Sequence, residues 1–287
     1  MTGSAHLREL GEFLRHRRGE LTPAQVGLPE RAHTRRRVQG LRREEVAELA
    51  AISTDYYVRI EQGRLAPSPP VLESLARELR LDHAQRAYVE GLVAQAGRAG
   101  HRKTPRRSVR PKAHPHLARL LAQLTGTPAL VFGPRLDILA WNPLAAELLC
   151  DFAAAPESER NYIRMVFTDP VMRDIYPEWE DVARTCVEVL RMEAGTNPAD
   201  PALTALVGEL AVADQHFRAW WAEHRVAHQD FGSKRIAHPT VGELTLDWDT
   251  FRYAGAPEQQ LVLWSAEPGT ADAERLAALA GGTAQSP

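Results

Sequence analysis

The chain has 287 residues, 44% of them apolar and 25% charged, a composition ordinary for a soluble globular protein with room for two separate cores. No apolar run approaches the roughly 18 to 20 residues of a membrane helix, charges stand where a secretory signal has its apolar stretch, and Cys150 and Cys186 are the only cysteines, 36 positions apart and without a partner motif. Membrane, export and cysteine-framework classes are therefore excluded, and a cytoplasmic place is expected. The net charge of −2 hides a split: residues 1–113 carry 22 Lys and Arg against 13 Asp and Glu, a net of +9, and residues 114–287 carry 13 against 24, a net of −11. A basic module joined to an acidic one implies that only the first meets a polyanion.

In chain order, apolar residues at helical spacing run through 5–18, 43–50, 54–62, 69–80 and 83–97, which predicts an all-α, five-helix N-terminal domain over 1–98. Residues 99–114, rich in Pro and basic residues with few apolar anchors, are the expected linker. A helix near 115–125 follows, then two short β-type runs within 128–141 around Gly133-Pro134, and Asn142-Pro143 marks a helix start with Pro at its first turn. Helical patterns at 178–194 and 201–227 precede strands at 242–248 and 260–264. Early and late strands with helices between them predict an α+β domain over 115–270, and 271–287 is the expected C-terminal tail.

The segment from Leu41 to Gly63 has the physical features of a helix-turn-helix. Val46, Ala47, Leu49 and Ala50 form one inner face, small Ala47 permits a close crossing, and Ala51-Ile52 makes the turn. Ser53 is the cap of a second helix whose inner face is Tyr57 and Ile60 and whose end is Gly63. Helical geometry then directs Thr54, Asp55 and Arg59 outward, with Tyr56 at the margin, where side chains reach base edges in a major groove. Ser53 and the helix N-terminus suit a phosphate. Arg42 and Arg43, at the start of the first helix, are candidate phosphate clamps, and Arg36, in the Arg35-Arg36-Arg37 run, is a candidate for phosphate or minor-groove contact.

At these residues the chain resembles the Xre-type helix-turn-helix, and more closely the MmyB-like regulators of actinobacteria. The similar stretches are Leu10-Gly-Glu-Phe-Leu-Arg-x-Arg-Arg, Val26-Gly-Leu-Pro, Arg36-Arg-x-x-Gly-Leu-Arg-Arg-Glu-Glu-Val-Ala, Tyr56-Tyr-x-Arg-x-Glu-Gln-Gly-Arg64 and Pro67-Ser-Pro-x-Val-Leu-x-x-Leu-Ala. Beyond the linker, Trp141-Asn-Pro-Leu-Ala-Ala, Arg160-Asn161, Tyr176-Pro-x-Trp-Glu, His238-Pro-x-Val-Gly-Glu-Leu-Thr-Leu and Ala266-Glu-Pro-Gly269 are similar to the second domain of that family. Gln39-Gly40 departs from an expected Pro-Gly. The resemblance implies a PAS-like ligand-binding domain behind the DNA reader, with fatty acid as the ligand class.

The residues themselves leave the second half open. Trp141, Trp179, Trp220 and Trp221, with Phe152, Phe167, Tyr176 and Phe217, form either the lining of an apolar cavity or a filled core. Adjacent Trp220 and Trp221 cannot both face inward from one helix. An anionic lipid needs a local positive or hydrogen-bonding group, for which Asn142, Arg164, His224, Arg225 and His238 are candidates. The expected ligand-binding set is Trp141, Asn142, Arg164, Phe167, Phe217, Trp220, Trp221 and His238. His224 and His228 stand one helical turn apart, yet Arg225 occupies the position of the metalloprotease Glu, so no metal is expected. No nucleophile elbow, phosphate loop or dinucleotide fingerprint occurs, and Asp247 with Asp249 reads as the solvent face of a strand, so no catalytic residue and no obligatory cofactor are expected.

The reading is a sequence-specific DNA-binding transcriptional regulator whose partners are double-stranded operator DNA, a small hydrophobic ligand and a second copy of the chain. One recognition helix buries too little surface for operator affinity, so a homodimer is expected. Two alternatives remain: a second domain that is only a dimerisation or protein-interaction module, and a small-molecule enzyme tethered to DNA.

Overall fold

The computed structural model describes residues 2–28, 40–98, 111–227 and 230–283. The chain divides into two compact units, the first comprising Met1–Thr104, Arg191–Ala205 and Ala219–Ala227 and the second Pro105–Leu190, Leu206–Arg218 and His228–Pro287.

Unit 1 is helical. It contains α1 (Thr2–Glu20), α2 (Arg43–Leu49), α3 (Thr54–Glu61), α4 (Pro69–Glu78) and α5 (His83–Arg98), close to the five predicted spans. Each start has a local cause. Glu45 accepts from the Arg42 backbone N–H at 2.7 Å, Ser53 Oγ accepts from the Tyr56 N–H at 3.2 Å, and Pro69 opens α4. The apolar stripe of α1, Leu10, Phe13 and Leu14, is buried with Tyr57, Ile60, Leu75, Leu79, Val89 and Leu92 in one core, to which Val226 also belongs; each such side chain contributes roughly 1.5–3 kcal/mol by leaving water. At Gly11 a Cβ atom would stand 2.3 Å from the Glu61 carbonyl oxygen, so glycine is required for α1 to approach α3 this closely.

Beneath that crossing lies a buried carboxylate. The Glu61 side chain is 1% exposed and accepts from Arg18, at 2.9 and 3.3 Å, and from Arg43, twice at 3.2 Å. A second charged group is enclosed where segment 191–205 meets α1 and α5. Arg191 donates to Glu9 at 2.8 Å, and Tyr88 donates to the same carboxylate at 2.8 Å. Burial pushes the Glu9 pKa up, but His224, the Arg191 charge and Tyr88 together hold it down, from 4.5 to about 2.

Unit 2 is the α+β domain: α6 (Pro115–Gln123), β1 (Ala129–Phe132), β2 (Ile138–Trp141), α7 (Pro143–Leu148), α8 (Tyr162–Thr168), α9 (Pro170–Asp174), most of α10 (Trp179–Ala194), parts of α11 (Pro201–Ala213) and α12 (Gln215–Ala222), then β3 (Phe231–His238), β4 (Gly242–Arg252), β5 (Gln260–Ser265) and α13 (Ala271–Thr283). The strands form one sheet in the order β2-β1-β5-β4-β3, every pair antiparallel, as the all-α then α+β, PAS-like reading expects. Strand alternation gives the sheet two faces. Ala129, Val131 and Leu261 lie against Leu117 and Leu121 of α6, whereas Phe132, Trp248, Val262 and Trp264 line the opposite side.

Several details differ from the sequence reading, which has no counterpart for α8 and α9. The helical pattern over 201–227 is two helices, because the Asp214 carboxylate accepts from the His216 and Phe217 N–H groups at 2.7 and 3.0 Å and starts α12. β3 was not among the expected strands. Where a tail was expected, α13 buries Leu276 and Leu279 and packs on α7 and β4. Residues 99–110 of the expected linker lie outside the described residues.

Because the Glu9 pKa is depressed in the folded state, its stabilising contribution is present above the unfolded value near 4.5 and is lost as pH falls toward about 2. Urea unfolding of Glu9→Gln and wild type should therefore converge over that window, from a difference of up to about 3 kcal/mol at neutral pH. A pH-independent difference would remove this role.

Candidate functional site

The DNA-reading candidate is the exposed side of α3. Its cap, Ser53, and the outward residues Thr54, Asp55 and Arg59 are exposed, Tyr56 is half-buried, and Tyr57 and Ile60 are fully buried, so the structure brings together five of the residues expected to face a groove. Asp55 and Arg59 form an i,i+4 ion pair at 3.1 Å, which holds the guanidinium extended along the helix while leaving its remaining donors free to meet a base edge. The turn before α3 closes tightly. Ala51 adopts a left-handed conformation, φ 55°, and the Ile52 N–H reaches the Ala47 carbonyl at 2.9 Å, a geometry that glycine adopts more readily than alanine.

Arg42 and Arg43 have different surroundings. The Arg42 side chain is exposed beside the first turn of α2. Arg43 is 40% exposed and spends two donors on Glu61, so it braces α2 against α3 and can offer a phosphate only what remains. Arg36 lies outside the described residues, as does His228.

Unit 2 holds a cavity of about 60 Å³ between the inner face of the sheet and two helices. Phe132, Lys234, Trp248, Thr250, Gln260, Val262 and Trp264 supply the strand wall, Tyr162 of α8 and Thr185, Cys186 and Val189 of α10 the helical wall, and Leu136 one end. The lining is mostly apolar and aromatic, with Thr185, Thr250, Gln260 and one cation. The Lys234 ammonium lies 5.1 Å from the ring centre of Trp248, 5.7 Å from Tyr162 and 5.8 Å from Tyr176, within the range of cation–π attraction. No acceptor or carboxylate is paired with it among the described residues, and burial pushes its pKa down. The Trp264 indole N–H, also in the wall, is buried without a hydrogen-bond partner among the described residues. The wall thus holds a cation and an indole N–H that have no ion-pair or hydrogen-bond partner among the described residues. Burial raises the Cys186 thiol to about 11, which keeps it protonated.

None of the eight residues expected to bind ligand lines this cavity. Asn142 is 1% exposed and is spent on structure, accepting from Ala129 and Ala145 N–H and donating to the Leu124 and Thr127 carbonyls. Arg164 forms a bidentate pair with Glu209, both contacts 2.7 Å. His238 bonds the Glu147 carbonyl at 2.9 Å and accepts from the Thr240 N–H. Phe167 and Phe217 pack edge to face at 5.3 Å as core, and Trp141 packs on Phe152. Trp220 and Trp221 belong to unit 1, where the Trp221 ring lies 3.9 Å from the Arg191 guanidinium. The aromatic count points to residues 141–221, whereas of the cavity aromatics only Tyr162 lies there and Phe132, Trp248 and Trp264 are on strands outside that range. The available signal was Lys234, which shares an inward register with Ile236 through its pairing to Leu246.

A helix-turn-helix domain model matches residues 9–89, and the model described as the MmyB-like transcription regulator ligand binding domain matches residues 113–279, more than half of the chain. The chain belongs to the MmyB-like transcription regulators. Among curated proteins, none matches it significantly. The two matches make this MmyB-like protein a DNA-binding transcriptional regulator with a small-molecule-binding domain. Both matched families are regulator domains. Among the described residues, no helix is long and apolar enough to cross a membrane, and no cluster of three or more His, Cys, Asp or Glu is arranged to hold a metal ion.

Substitution of the three arginines should separate their roles in operator-binding titrations at several salt concentrations. Arg59→Ala should cost on the order of 1–3 kcal/mol and relax preference at one base position. Arg42→Ala should lower the salt slope by about one without loss of stability, whereas Arg43→Ala should also lower folding stability by about 1 kcal/mol. Equal stability of the two variants would remove the bracing role from Arg43.

Proposed function

We propose that this MmyB-like regulator reads operator DNA as a homodimer through Thr54, Asp55, Tyr56 and Arg59, and that a small hydrophobic acid, of the fatty-acid class, binds in the unit 2 cavity and changes its DNA affinity. The observation that carries the ligand reading is Lys234, a cation without a counter-charge in an aromatic, apolar cavity. A carboxylate supplies that counter-charge and accepts from Trp264 Nε1 as well, while an alkyl chain suits the remaining wall. At about 60 Å³ the cavity is smaller than the roughly 150 Å³ that accepts benzene, so an acyl chain must displace wall side chains. That displacement makes binding and shape change one event, as a ligand-gated regulator requires. The protein acts as a non-catalytic regulator in the cytoplasm, and two copies place their recognition helices on half-sites about 34–36 Å apart.

The test uses dodecanoate. Titration of the purified protein should quench Trp248 and Trp264 fluorescence saturably and shift affinity for an operator selected from random-sequence duplexes. Lys234→Met should weaken dodecanoate about tenfold or more, with little effect on dodecanol, which has the chain without the charge. Light scattering should give two chains per operator. No saturable quenching, with operator binding intact, would leave unit 2 as a dimerisation or interaction module.

A further inference from the structure

We propose that α10 carries the state of the cavity to the DNA-reading helices, and that the buried Arg191–Glu9 pair is the joint at which it does so. The inference rests on the ligand reading above only for what fills the cavity; the joint itself rests on geometry.

One continuous helix holds both ends of the connection. Cys186 and Val189 of α10 stand three residues apart, on one side of the helix, in the cavity wall. Arg191, half a turn further on, belongs to unit 1 and is only 3% exposed in its side chain. There it donates to Glu9 at 2.8 Å and meets His224 Nδ1 at 3.1 Å, bonds the Trp221 carbonyl, and lies face-on over the Trp221 ring at 3.9 Å. A guanidinium enclosed this way cannot leave its carboxylate without stranding both charges, so a displacement of α10 must be followed by α1 or resisted by it. The next turn repeats the attachment. Met192 packs on the helical core, the Thr196 carbonyl meets His6 Nε2 at 3.3 Å, and a Cβ at Gly195 would stand 2.4 Å from the Tyr88 ring. Tyr88 in turn holds Glu9.

From Glu9 the path to DNA is short. The same helix, α1, carries Leu10 and Phe13 into the core beside Tyr57 and Ile60, and Gly11 against the Glu61 carbonyl at the end of α3. A shift of α1 therefore reaches the element that presents Thr54, Asp55 and Arg59. Arg191 and Glu9 are neither in the cavity lining nor on α3 and act as positioning residues.

The test fills the cavity from within. Val189→Phe places a ring where a ligand would sit, and operator affinity is measured in the full chain, alone and combined with Gly195→Ala or Glu9→Gln. Alone, Val189→Phe should change affinity about fivefold or more; in either second background the change should shrink to within about twofold, while the second variants alone keep the operator's sequence preference. Persistence of the full change in both backgrounds, or a folded Val189→Phe chain with unaltered affinity, overturns the proposal. Should Val189→Phe fail to fold, the ratio of operator affinities with and without dodecanoate, compared across Gly195→Ala and Glu9→Gln, decides the same question. A wild-type chain that does not bind dodecanoate removes the ligand reading, and the Val189→Phe comparison still decides the joint.

Discussion

A charge taken out of water has to meet an opposite charge, and this constraint organises the molecule. Glu61 meets Arg18 and Arg43 beneath the recognition helix, and Glu9 meets Arg191 under α1. Loss of the sole partner of such a group costs about 3 kcal/mol or more because the other charge remains enclosed, whereas Glu61 keeps Arg18 when Arg43 is lost. The helix-turn-helix is consequently held by two means at once, an apolar core that is indifferent to direction and ion pairs that are not. The core sets how closely α1, α3 and α5 approach; the carboxylates set their register. Lys234 departs from the same rule, since three aromatic rings face it and no carboxylate is paired with it among the described residues, and that departure is what supports reading the space beside it as a ligand site.

The five-stranded sheet divides the labour of unit 2. Its α6 side is filled by leucine, alanine and valine and serves stability. The other side carries every strand residue of the cavity wall, and α10 closes it. The proposed ligand site is thereby confined to one face, and strand alternation separates its wall from the residues packed on α6. The acidic character of the second half and the basic character of the first agree with this division, since only the first has to approach a polyanion.

The helix-turn-helix was legible because its determinants are local. Caps such as Ser53, the stripe of Val46, Ala47, Tyr57 and Ile60, and the outward set Thr54, Asp55 and Arg59 all follow from spacing along one stretch of chain. The hairpin at 129–141 and the cap at Asn142 were legible for the same reason. The cavity was not, because its walls come from seven separated segments and its aromatics, Tyr162 of α8 apart, lie on strands whose partners are distant in sequence. Polar candidates such as Asn142, Arg164 and His238 were chosen by chemical type, and their hydrogen bonds to backbone and to Glu209 became visible only once the chain was folded. β3 was overlooked because Ser233, Lys234 and Arg235 lower its apolar content; its strand character comes from pairing with β4 rather than from its own composition.

Three helices, α10, α11 and α12, each begin in one unit and end in the other. The compact body that reads DNA is therefore assembled from non-adjacent stretches of the gene, with Arg191, Gly195 and Val226 contributed from beyond the stretch matched by the helix-turn-helix family. Recombination that joined residues 1–112 to an unrelated sensor would discard part of that body, leaving Glu9 without its guanidinium and the helical core without Val226. Exchange of the second half for another would therefore change the helical body that carries α3 as well as the sensor.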